Sequence, residues 1–138
     1  MDKYELLLKD IKLILETIPD IHHVSFGKVA PLDIETTFTS VYISPEVDEF
    51  SLHKNGMSLA AYMNTFYIRL TVNMDCEDDL AWVPIRSRII NSILNDDIIW
   101  TNIVDRDIIS VAHDDYENYP RKTMALLFSF KLEEDCII

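Results

Sequence analysis

His113-Asp114-Asp115 is the densest grouping of chemically capable side chains in this sequence, since an imidazole beside two carboxylates can hold a metal ion or move a proton. The residues around it, Ile108 to Asp114, carry the pattern of a strand. Neighbours along a strand point to opposite faces, so His113 and Asp114 do not converge on one ion, and the cluster reads as a solvated strand end. His22-His23 follows Pro19-Asp20 in a turn and has no third or fourth ligand close in sequence. Glu77-Asp78-Asp79 could hold a cation, but acids at the start of a helix are already explained by the positive end of its dipole. Cys76 and Cys136 have no CxxC or Cys/His spacing around them and read as reduced thiols of a cytoplasmic protein, a single disulfide being the lesser alternative. Gly27 and Gly56 are the only glycines, too few for a phosphate-cradling loop or a dinucleotide fingerprint, and no serine has a GxSxG context. No catalytic residue, metal site or cofactor is therefore expected.

The elements that position these groups can be read from periodicity. Asp2 to Thr17 is predicted as an amphipathic helix: Tyr4, Leu7, Leu8, Ile11, Ile14, Leu15 and Ile18 share one face, and Pro19 stops it. Asp2 and Glu5 resemble a capping box, while Leu6 and Leu13 widen the apolar stripe, as in a helix lying across a sheet or a neighbouring subunit. Strands are predicted over His23 to Phe26 and Thr36 to Ile43. Ser44 to Ser58 has no clean period and reads as a long loop or a loose hairpin tip. Thr65 to Met74 is the clearest strand, with Phe66, Ile68, Leu70, Val72 and Met74 on one face. A second helix is expected from the acidic run Glu77 to Asp79 through about Leu94. Trp82, Val83, Ile89, Ile90, Ile93 and Leu94 form its buried stripe, with Pro84 near its first turn. Ile108 to Asp114 and Thr123 to Leu132 close the chain as a hairpin around a loop of residues 115–121. The order predicts one α+β domain over residues 1–138, a mainly antiparallel sheet packed with two helices.

Composition narrows the partners. The 138 residues carry 24 acids against 12 bases, a net charge of −12, which argues against neutralising phosphates or docking on an anionic membrane. Apolar and aromatic residues make up 49% of the chain, enough to fold rather than stay disordered. No apolar run approaches the roughly 20 residues of a membrane span, and no secretory signal is visible at the N-terminus. Tyr62, Phe66, Tyr67, Trp82 and Trp100 read as core or interface rather than as a base-stacking platform.

The element order, with Ser40-Val41-Tyr42-Ile43-Ser44 as an inner strand, Phe66 to Val72 as the long strand, Ala81-Trp82-Val83 through Arg88-Ile89-Ile90 as the second helix and Met124 to Leu132 closing, resembles the tail terminator (tail completion) proteins of long-tailed bacteriophages. The resemblance runs from about Lys3 to Glu133, and the 44–58 segment corresponds to the mobile insertion of that family; Pro84 in the second helix departs from its pattern.

What the resemblance implies is structural. It implies a homo-oligomer, a hexameric ring that caps the tail tube, stops its polymerisation and presents the head-joining surface. Its partners are then the tail tube protein and a head-completion or connector protein. The setting is the head-proximal end of a virion tail assembled in the host cytoplasm, with no membrane. DNA passes the lumen without specific binding, which assigns Asp48, Glu49, Asp114, Asp115 and Glu117 as candidate lumen-facing acids. Tyr62, Tyr67, Arg69, Arg86 and Arg88 are candidates for the subunit or tube interface. The alternatives are a head-to-tail connector or neck adaptor and, in a different class, a small acidic inhibitor or immunity protein that binds another protein.

Overall fold

A computed structural model describes residues 3–27, 39–55, 59–76, 78–97, 103–114 and 121–135. Its elements are α1 (Lys3–Glu16), β1 (His23–Phe26), β2 (Ser40–Asn55), β3 (Leu59–Asp75), α2 (Trp82–Asn95), β4 (Ile103–His113) and β5 (Arg121–Asp135). The strands form one sheet in the order β1-β2-β3-β5-β4. β1 runs parallel to β2 and the remaining pairs are antiparallel, so the sheet is mixed and mostly antiparallel with two helices, the expected fold class.

One face of the sheet is the core face. Val41, Ile43, Phe66, Ile68, Leu70, Val72, Met124, Leu126, Phe128, Phe130 and Leu132 are all buried there, the period-2 sets that the sequence displays on β3 and β5. α1 lays Leu7, Ile11, Ile14 and Leu15 on them, and α2 adds Ile85, Ile89 and Ile93. Tyr4 stacks on Phe66 with ring centroids 4.2 Å apart, and burial pushes its hydroxyl pKa up to about 12. α1 ends where the Thr17 hydroxyl donates to the Ile14 carbonyl at 2.6 Å, just ahead of Pro19. Gly27 ends β1 with φ +107°, a conformation that L side chains rarely adopt.

The structure differs from the sequence expectation in several places. Residues 44–55 are strand, not loop: β2 continues through Asn55, paired residue by residue with β3 back to Leu59. Periodicity fails there because Pro45 to Phe50 are exposed, and backbone pairing rather than side-chain burial holds the segment. A bulge between Pro45 and Val47 further breaks the alternation. β2 is Ser40–Asn55; residues 36–38 of the predicted strand lie outside the described ones. β4 starts at Ile103, five residues earlier than expected, because bulges at Ile103/Asp105 and Ile108/Ser110 scramble its period. β5 extends to Arg121 and Asp135.

The acidic run does not open α2. Asp78 instead makes a turn ahead of it, its carboxylate accepting from the Leu80 N–H at 3.1 Å and its carbonyl from the Ala81 N–H. α2 begins at Trp82, which places Pro84 in the first turn, where backbone N–H groups have no helical partner. Val83, expected in the buried stripe, is exposed, and Ile85 takes that role.

Candidate functional site

The face of the sheet opposite the helices is uncovered among the described residues. Across its middle, β3 contributes Tyr67 and Arg69, β5 contributes Ala125 and Leu127, and β4 contributes Ser110 and Ala112. The small side chains of Ser110, Ala112 and Ala125 leave a trough of about 470 Å³, banked on the β2 side by Glu46, Val47 and Glu49. Arg69 pairs with Glu46 at 2.7 Å, and the Tyr67 hydroxyl donates to Glu49 at 3.3 Å. Desolvation and the Glu49 charge both raise the Tyr67 pKa. The lining contains no His or Cys, and its carboxylates are engaged with Arg69 and Tyr67. Such a surface, apolar in its floor and polar on its bank, suits packing against another molecule better than proton transfer.

The His113-Asp114 cluster is split between two roles. His113 sets its ring edge-on to Trp82 at 4.8 Å, and burial with the nearby Lys122 and Arg86 charges lowers its pKa. Asp114 accepts from the Thr123 N–H at 3.1 Å and lies 3.8 Å from the ammonium of Lys122. Lys122 is 1% exposed and rests its charge 5.1 Å from the centre of the Trp82 ring. This is a clasp between α2 and the β4–β5 pair, and no group of three metal-binding side chains exists among the described residues. Cys76 is a buried free thiol donating to the Asp78 carbonyl; Cys136 lies outside the described residues.

The candidate lumen acids do not share one surface. Asp48 and Glu49 are both exposed, but they sit opposite Phe66 and Thr65 in register and so project to opposite faces. Asp114 lies beside Thr123, whose β3 neighbour Asn73 is about 23 Å along the strand from Phe66. Asp115 and Glu117 lie outside the described residues. Of the candidate interface residues, Tyr67 and Arg69 share the uncovered face, whereas Arg86 and Arg88 belong to α2 on the other side. Arg88 forms an ion pair with Asp20, tying α2 to the turn after α1. Tyr62 is placed by its backbone opposite Leu52 and Glu134, and its side chain lies outside the described residues.

Neither residue type nor spacing marks Glu46 or the small residues of the trough in the sequence. β5 held a signal for Lys122, which shares the parity of Met124 and Leu126 and so belongs to the core face.

No protein-family model and no curated protein matches the sequence. Among solved structures, the fold is similar to a chain of an extracellular contractile injection system described as the PVC sheath/tube terminator in its extended state. The TM-score is 0.57 at 12% identity, over 97% of this chain and 57% of that one. This chain thus spans a little over half the length of that terminator chain. A chain from the virion of a native gene transfer agent particle aligns at a TM-score of 0.48 and 15% identity, over 96% of this chain and 92% of that one. The class that the geometry defines is a terminator-like fold, a two-helix layer on a five-stranded mixed sheet.

Proposed function

We propose that this chain is a non-enzymatic structural protein of a tail-like particle. In this reading it is a terminator that forms a hexameric ring on the finished tube, halts its growth and offers the surface that joins the head. The observation that carries the reading is the fold shared with a sheath/tube terminator across 97% of the chain. A fold alone hosts many functions, so the surface must agree with it. It does: the uncovered sheet face has a trough without catalytic chemistry, and exposed apolar side chains stand at both ends of the strand order.

The charge also fits. Six copies carry about −72, a field that keeps passing DNA from adhering if some of Asp48, Glu49 and Asp114 line the channel. Light scattering tests the ring. Six copies of the 16.1 kDa chain give a free particle of about 97 kDa, or add about that mass to each tube end supplied. A monomer or dimer under both conditions would count against it.

A further inference from the structure

The two edges of the sheet differ in character. β1 and β4 lie at opposite ends of the strand order, four inter-strand spacings or about 19 Å apart. Along β4, Asp105 and Asp107 are exposed, and two residues further on Ile109 stands 50% exposed at the bulge. The intervening Arg106 does not offset them outward: its guanidinium donates to the carbonyls of Ile93 and Asp96 at 3.1 and 2.8 Å. Lys131 is the cross-strand neighbour of Asp105. At the other edge, Leu13 of α1 and Phe26 of β1 are about half exposed, and the Lys12 ammonium lies 5.6 Å from the centre of the Phe26 ring.

We propose that the β4 edge of one copy docks on the α1–β1 edge of the next. Ile109 packs against Leu13 and Phe26, and Asp105 and Asp107 face Lys12. A twofold contact through β4 alone would set these carboxylates against their own copies, and like charges across an interface are unfavourable. The bulges in β4 likewise disfavour simple strand-to-strand pairing of two identical edges. An apolar surface bearing Lys12 on the opposite side of the same chain answers both features. Two different surfaces on opposite sides make the contact heterologous, which is the kind that closes into a ring. The assignment rests on the ring reading and adds to it the residues that join neighbours.

Cross-linking tests it in a Cys76→Ser/Cys136→Ser background. Leu13→Cys and Ile109→Cys chains, mixed and oxidised, are expected to give a disulfide-linked dimer well above the level either gives alone. A chain carrying both substitutions gives a ladder that ends at six. As a second readout, Lys12→Glu weakens assembly at least about tenfold, and adding Asp105→Lys and Asp107→Lys restores it. No mixed cross-link, or an Ile109→Cys self-dimer as strong as the mixed product, overturns the edge assignment. If light scattering still finds six chains, the ring stands and only the edges are wrong. A mixed cross-link whose ladder runs past six keeps the edges and overturns the ring.

Discussion

Asp114 and Lys122 form an unequal pair. Lys122 is 1% exposed, whereas the Asp114 side chain is partly open to solvent and also accepts from the Thr123 N–H. Removing the carboxylate takes the ion-pair partner from an ammonium with almost no access to water; removing the ammonium leaves an acid whose side chain is partly open to solvent and still accepts from the Thr123 N–H. Asp114→Ala is therefore expected to cost about 3 kcal/mol, and Lys122→Met about 1 kcal/mol or less, because a buried charge that loses its ion-pair partner is the more expensive state. Urea denaturation of both variants checks the ordering. This pair shows how much of the site can be read from sequence. The His113-Asp114-Asp115 run is conspicuous because of its residue types, yet its structural meaning depends on Lys122 and Trp82, which chain position separates from it. Residue identity shows that a group can ionise; only the packed fold supplies its partner.

At the scale of elements, stability resides where the two helices meet the sheet. Ile11 is 1% exposed and shares a tightly filled space with Ile68, Leu70, Ile93, Phe128 and Phe130. Ile11→Ala is expected to lose about 3–4 kcal/mol, from lost burial plus the cavity left behind, and thermal or urea unfolding measures it. Elements of this kind were legible in the sequence: α1, β3 and β5 each bury one face, and burial imposes the period that betrays them. The distal half of β2 was not legible, because Pro45 to Phe50 have no buried face to impose alternation. β4 was misjudged at its start for a related reason. Its two bulges shift the register, so its apolar residues no longer alternate over the whole strand. The acids at 77–79 are expected to open α2, whereas α2 begins at Trp82, after Asp78 and Asp79. The Asp78 turn satisfies itself through Leu80 and Ala81 before the helix begins.

At the scale of the whole molecule, the net charge of −12 and the uncovered sheet face pull in opposite directions. Like-charged copies repel over a Debye length of roughly 8 Å at physiological salt, so association depends on local contacts at closer range. In the proposed ring those contacts are the complementary patches at the sheet edges, where Asp105 and Asp107 face Lys12. Of the described residues named for the lumen, Asp48, Glu49 and Asp114 are divided between two faces and two ends of the sheet, so only some of them belong to the proposed channel wall. The central claim, termination of a tube, is tested most directly by electron microscopy of tail-like particles from a producer lacking this chain. Tubes of uncontrolled length without joined heads are expected, with normal length and joining restored when the chain is resupplied. Tubes of normal length joined to heads in its absence would contradict it.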